Sequence, residues 1–158
     1  SRLVTGLLTL VLSRMARRHG GYVGKTAVIE GFLSLPHGLH GVYISRYARI
    51  GSGCRIYQNV TIGEVEGKAP QIGRNCLIGA GAVVVGGIRI GDGVKIGAGA
   101  VVTKDIPPYA LVVGNPSRQI GWVSEYGHRL SFNEKGIATC PESNQQYLLE
   151  GGVVTRIS

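Results

Sequence analysis

An aliphatic residue returns every six positions through Ile44, Ile50, Ile56 and Ile62 and, after one longer step, through Ile72, Ile78, Val84, Ile90, Ile96 and Val102. Self-similarity at a short fixed period marks a solenoid, in which each unit buries its apolar face only against its neighbours. The third residue after the aliphatic one is Gly53, Asn59, Asn75, Gly81, Gly87, Gly93, Gly99 or Asp105. These types tolerate positive φ, so each hexad is predicted to end in a sharp corner. The fourth residue is Ala48, Cys54, Val60, Cys76, Ala82, Ile88, Val94, Ala100 or Ile106, small or aliphatic throughout, and suits a second inward slot. A short flat strand and a tight corner, taken three at a time, close a triangular coil. Coils stacked at the ~4.8 Å strand spacing give an all-β fold, a parallel β-helix shaped as a triangular prism around an aliphatic ladder.

Three stretches leave the pattern. The segment SRLVTGLLTLVLSRMARRHGG runs apolar from Leu3 to Leu12, then carries Arg14, Arg17 and Arg18, and reads as a short helix closed by Gly20 and Gly21. It is shorter than the roughly 20 apolar residues a membrane span needs, and its charges lie at the wrong end for an export signal. Two roles stay open: packing on the prism base or a trimer, or lying in a membrane interface through residues 3–18 with arginines at the headgroups. The expected location is the cytoplasm, including the inner face of its membrane. Between Ile62 and Ile72 the phase slips, so GEVEGKAPQ is predicted to loop out of the coil, where substrate contacts are natural. Beyond residue 121 the hexads stop, and the remainder reads as short strands with turns at Asn133 to Gly136 and Gly151 to Gly152. The expected organisation is a helix over 1–21, a prism over 22–121 and a small hairpin-like appendage over 122–158.

With 26 glycines and 6% aromatic residues in 158, an ordinary globule would have a poor core. A solenoid escapes that objection, because its corners need glycine and its core only aliphatics. The net charge of +8 raises nucleic acid as a partner. Against this, the basic residues are scattered over the repeats without interleaved aromatics, so nucleic acid is not expected and a polyanionic small molecule is the better use of the excess. The three cysteines, Cys54, Cys76 and Cys140, suit a reducing compartment, with Cys54 and Cys76 as small buried hydrophobes on the inward phase.

The stretches ARIGSGCRIYQNVTIG and CLIGAGAVVVGGIRIGDGVKIGAGAVVTKDIPPYALVVGNPSRQI resemble the hexapeptide-repeat acyltransferases over residues 23–121. The resemblance implies a left-handed β-helix, an exception to the right-handed crossover rule. It also implies a homotrimer and acetyl-CoA as cosubstrate, bound between neighbouring prisms. SLPHGLHGVYIS is similar to the stretch that holds the catalytic histidine in serine acetyltransferases and sugar O-acetyltransferases, which makes His37 the general base. A neutral imidazole is suited to taking a hydroxyl proton near pH 7. Positions that line the pantetheine arm in the family match Gly63, Ala80 and Ala98. Thr103 and Lys104 match the nucleotide end, and Arg118 is a further phosphate candidate. His40 and Glu64 are taken as substrate contacts, and coil amides as oxyanion donors.

The same alignment shows departures. Tyr22 stands where serine acetyltransferases have the carboxylate that orients the histidine, Pro36 replaces the Asp before it, and Ala69 replaces a second, substrate-holding histidine. A carboxylate could come from Glu30, Glu64 or Glu66. The appendage resembles a zinc-ribbon-like hairpin found in sugar-modifying members, but the matching positions are Ser124, Tyr126, Cys140 and Ser143. One thiol in four does not hold tetrahedral zinc, so a metal-free remnant packed on Trp122, Phe132 and Tyr147 is expected. The resulting reading is an acetyl-CoA-dependent O-acetyltransferase, transferring directly in a ternary complex to a hydroxyl of a saccharide or sugar precursor. Serine O-acetylation and N-acetylation of an amino-sugar nucleotide are the alternatives, and a non-catalytic trimeric scaffold is the reading from another class. Zinc carbonic anhydrases share the prism but need three histidines, and only His37 and His40 lie near the repeats.

Overall fold

The structure is a computed structural model that describes residues 2–158, with side chains from residue 6 onward. Three flat sheets of very short parallel strands form the sides of a prism. The first face stacks Tyr22–Val23, Tyr43–Ile44, Thr61–Ile62, Val83–Val84 and Val101–Val102. The second stacks Val28–Ile29, Arg49–Ile50, Gln71–Ile72 and Arg89–Ile90. The third stacks Leu33–Ser34, Cys54–Ile56, Leu77–Ile78, Lys95–Ile96 and Ala110–Val113, and is closed by the antiparallel strand Arg118–Trp122.

Each strand presents one residue inward, and the rungs keep strict register. Ile44, Ile62, Val84 and Val102 stack on the first face, Ile29, Ile50, Ile72 and Ile90 on the second, and Ile56, Ile78, Ile96 and Val112 on the third. All of them are buried in one continuous core. The fourth-position residues fill the corners of the same core: Val60, Ala82, Val94 and Ala100 are fully inaccessible. Cys54 and Cys76 sit there as small buried residues, their thiols donating to the carbonyls of Gly73 and Gly91 at 3.1 Å each. The contact with Cys54 and burial hold the Cys76 thiol well above the ordinary range, so it stays protonated.

The corners behave as the residue types require, with one exception. Gly53, Asn59, Asn75, Gly81, Gly87, Gly93 and Gly99 all have φ between 57° and 77°. Asp105 is not among the positive-φ residues. Ile106 pairs with Ile90, so the corner after Val102 is two residues shorter than the corner between Val84 and Ile90, and Asp105 falls outside the turn, its carboxylate accepting from the Arg89 amide at 2.9 Å.

Helix α1 (Arg2–Arg18) covers the base of the prism, packing against the first strands of the first and second faces. Thr9, Leu12, Ser13 and Ala16 face the prism and are buried, while Leu7, Leu10, Val11 and Met15 face away, beside Arg14 and Arg18. The side chains of Leu3 and Val4, which begin the predicted apolar run, lie outside the described residues. The helix ends before Gly20, at φ 68°, with the Gly21 amide donating back to Ala16 at 2.8 Å. Among the described residues no helix is long and apolar enough to cross a membrane.

At the other end the chain forms a three-stranded antiparallel sheet of Ile137–Thr139, Gln146–Glu150 and Val153–Arg156. Gly151 and Gly152, at φ 57° and 76°, make the tight turn between the last two strands. Tyr147 is fully buried there with Cys140 and Val154, against Trp122, Phe132 and Tyr109. At the four ribbon positions, Ser124 and Ser143 flank Cys140 without forming a metal cluster. The Cys140 thiol donates to the Ser124 hydroxyl at 3.3 Å, and no group of three ligating side chains occurs among the described residues.

A solenoid core is a sum of nearest-neighbour contacts, so one missing rung weakens both its neighbours. Ile78→Ala, in the middle of the third face, is expected to lower unfolding free energy by about 2–5 kcal/mol, measured by denaturant titration followed by circular dichroism.

Candidate active site

The position of His37 comes from a local departure in coil length. Ser34 pairs with Arg55 and Tyr43 with Thr61, so nine positions cross this corner in one coil and six in the next. The three extra residues swell the corner between the third and first faces. His37 is carried on that swelling and is exposed, while Leu39 turns inward and anchors it at 2% exposure.

His37 is held from the coil above. Its Nδ1–H donates to Gln58 Oε1 at 2.7 Å, and its ring meets Tyr57 edge-on with centroids 5.5 Å apart. With Nδ1 engaged as donor to Gln58, Nε2 is the ring nitrogen that faces away and is available to accept a proton. The turn itself is tied by His40, whose Nδ1–H donates to the His37 carbonyl at 2.8 Å and whose ring packs on His19 at 4.5 Å. His40 therefore braces the swelling. His19, at the end of α1, links it to the base of the prism.

The orienting group is an amide, not one of the carboxylates the sequence offered. Glu64 is engaged by the Ser45 hydroxyl at the next edge of the prism, Glu30 lines a groove on the second face, and Glu66 sits at a hairpin tip with φ 51°. Tyr22, at the family's carboxylate position, stacks on Tyr43 at 5.1 Å, and its hydrogen bond to Arg46 raises the guanidinium pKa. Ala69 is buried beneath the hairpin.

The other anticipated residues divide between two edges. Ala80 and Ala98 follow Gln58 up the same edge as His37, as the backbone bonds Gly81 N to Gln58 O and Gly99 N to Ala80 O show. Three rungs at ~4.8 Å put the His37 coil about 14 Å from Ala98. A Cβ built on Gly81 or Gly99 would meet nothing within 4 Å, so this edge is open enough for a slender chain to lie along it. Arg118 begins the strand that returns from its top, exposed. Gly63, Thr103 and Lys104 lie on the edge between the first and second faces, with Glu64, and are not brought to His37 within one prism.

The excursion after Ile62 is a tight hairpin. Val65 and Lys68 exchange both backbone hydrogen bonds at 2.9 Å around Glu66 and Gly67, which both have positive φ. It folds down onto Gly86, where a Cβ would strike the Lys68 carbonyl at 2.2 Å, so only glycine admits the loop this close.

A three-sided prism of hexapeptide coils with a histidine projecting from one edge defines the architecture of the transferase solenoids. The family model described as bacterial transferase hexapeptide (six repeats) matches residues 69–104. Serine acetyltransferase 4 of Arabidopsis thaliana is 39% identical over 124 residues, which are 75% of this chain and 35% of that protein. The crystal structure of Neisseria gonorrhoeae serine acetyltransferase superposes with a TM-score of 0.66 at 35% identity, covering 75% of this chain and 47% of that one. A serine acetyltransferase in complex with CoA gives a TM-score of 0.58 at 32% identity, covering 61% of this chain and 40% of that one. The chain thus spans about a third to a half of these relatives. It belongs to the hexapeptide-repeat acyltransferase superfamily, with the left-handed β-helix of that group, and is serine acetyltransferase-like.

Gln58 escaped the sequence reading, although it lies in the stretch IYQNVTIG quoted above. The signal was the coil-length difference, since counting nine residues against six places position 58 over the swollen corner. As a positioning residue it should act through His37 geometry. Gln58→Ala is expected to lower kcat by up to about 10²-fold with the KM for an acyl donor little changed, because the His37 imidazole is no longer aimed. Steady-state kinetics check this, and a loss confined to KM would contradict it.

Proposed function

We propose that this chain is an acetyl-CoA-dependent O-acetyltransferase with serine as its first-choice acceptor. The observation that carries the chemistry is the His37–Gln58 hydrogen bond, which leaves Nε2 as a free acceptor at an open edge. His37 Nε2 takes the hydroxyl proton of the acceptor as its oxygen bonds to the thioester carbonyl carbon. The C–S bond then breaks, and the imidazolium gives the proton to the departing sulfur. Backbone amides of the coil edge are the donors available to the developing oxyanion. Along the same edge, Ala80 and Ala98 leave room for the pantetheine arm and Arg118 supplies a contact for the coenzyme phosphates, while Thr103 and Lys104 supply theirs from a neighbouring prism.

The acceptor assignment follows the serine acetyltransferases to which the chain is similar. A second reading, a saccharide hydroxyl, is favoured by the residues at the serine-specific positions. Tyr22 is stacked on Tyr43, Pro36 carries no charge, and Ala69 is buried, so the histidine-orienting carboxylate, the Asp before the histidine and the substrate-holding histidine expected of a serine enzyme are all missing. Thiol release from acetyl-CoA with serine, simple sugars and nucleotide sugars separates the two. His37→Ala is expected to lower kcat about 10²–10⁴-fold on the true acceptor while acetyl-CoA binding changes little. Turnover surviving within a few-fold would remove His37 from the mechanism.

The same proposal includes a homotrimer. One prism holds His37, Ala80 and Ala98 on one border of its first face and Gly63, Thr103 and Lys104 on the other. Packing edge against face sets the second group of one protomer beside the first group of its neighbour. Light scattering is expected to give the mass of a trimer, and a fully active monomer at micromolar concentration would refute the shared site.

A further inference from the structure

The third face carries a second cleft, on the border away from His37, that the acetyl-transfer reading does not use. The outward positions of its rungs run Ser34, Arg55, Leu77, Lys95 and Leu111, so two cations stand two rungs apart with Leu77 between them. The chain that follows Trp122 folds back over these residues and encloses a cavity of about 580 Å³, adding Glu125, Tyr126 and Arg129 to its walls.

The charges of this cavity do not balance internally. Arg55, Lys95 and Arg129 face a single carboxylate, and that carboxylate is already taken. Glu125 accepts from Arg156 at 2.9 Å through one oxygen and from the Tyr109 hydroxyl at 3.2 Å through the other. The remaining contacts of the cations are neutral: Lys95 Nζ donates to the Asn75 carbonyl at 3.0 Å, and Arg129 donates to the Ile120 carbonyl. None of the three forms a salt bridge among the described residues. Burial, with Arg55 adding to it, lowers the Lys95 pKa against the opposing pull of Cys76, Cys54 and Glu125, so its charge is costly where it stands. An arrangement that gathers three cations in a half-enclosed cleft and ties the nearby acid to another partner is stabilised by an incoming anion.

We propose that this cleft is a second ligand site, separate from the acetyl-transfer edge, for a small molecule carrying a compact dianion, a phosphate group or a pair of carboxylates. Arg129 and Arg55 supply planar donor forks and Lys95 a point charge in the same wall. The exposed ring of Tyr126 at the mouth gives a surface for the rest of the molecule. The ligand's own body remains outside the prism, because the floor is the tightly packed third face.

Calorimetric titration of the intact chain with inorganic phosphate and, separately, with malonate, each against sodium chloride at equal ionic strength, tests the site. Saturable binding of one anion per chain is expected, and the tighter of the two fixes the ligand class. Lys95→Met and Arg129→Gln should each weaken that binding about tenfold or more, the worth of one charge-assisted hydrogen bond, and leave acetyl-CoA binding unchanged. Arg129 lies outside the coils, so its variant reports on the site even if the Lys95 change disturbs the prism. No saturable binding of either anion would overturn the proposal. So would displacement of phosphate by coenzyme A with both variants losing acetyl-CoA affinity, since the cleft would then belong to the cofactor.

Discussion

Register is the constraint on which the structure rests. Each parallel rung contributes only two to four strand residues, too few to be stable alone, and gains its stability from the aliphatic side chains stacked on it in the coils above and below. The isoleucine and valine columns hold because every coil crosses each face at the same height. Positive-φ corners make that possible, by turning the chain in a fixed number of residues. Change in length is therefore excluded from the faces and confined to the corners, and there the chain has used it three times: at the His37 swelling, at the Glu64–Lys68 hairpin and in the shortened corner between Val102 and Ile106.

This explains why chemistry and core separate so cleanly. A projecting corner carries a side chain clear of the ladder without disturbing the inward residues, and the neighbouring coil, which lacks the insertion, offers a flat edge against which that side chain can be fixed. Gln58 and Tyr57 do this for His37, and His40 with His19 does it from below. The imidazole is thus aimed by the coils around it, through contacts that none of those coils makes alone.

Whatever repeats was legible in the sequence. The inward columns, the glycine and asparagine corners, the excursion after Ile62 and the turn at Gly151–Gly152 each follow from residue type at a position. Asp105 departs from its expected role because the corner after Val102 is two residues short, which brings Ile106 opposite Ile90 and takes Asp105 out of the turn, a shift that the aliphatic pattern alone does not reveal. Gln58 was hidden because its partner lies 21 residues away across an irregular corner, and a search for carboxylates overlooked an amide that holds the same ring nitrogen. The burial of Ala69 and the tie between Glu64 and Ser45 likewise depend on how the hairpin folds down onto Gly86, which no local pattern states. The anion cleft needed the returning chain after Trp122, whose path over the third face is not periodic.

The last strand has a consequence for the behaviour of the molecule in solution. A stack of parallel rungs in perfect register has no natural end: its terminal coil presents unpaired amides and carbonyls with the same spacing as the coil before it, and a second chain could continue the pile. Reversing direction after Ala110–Val113, so that Arg118–Trp122 runs antiparallel along it, caps the third face with a strand of the wrong polarity for further parallel growth. With α1 laid across the opposite end, the solenoid is kept finite, and a fold built like a fibre segment stays a discrete, countable particle.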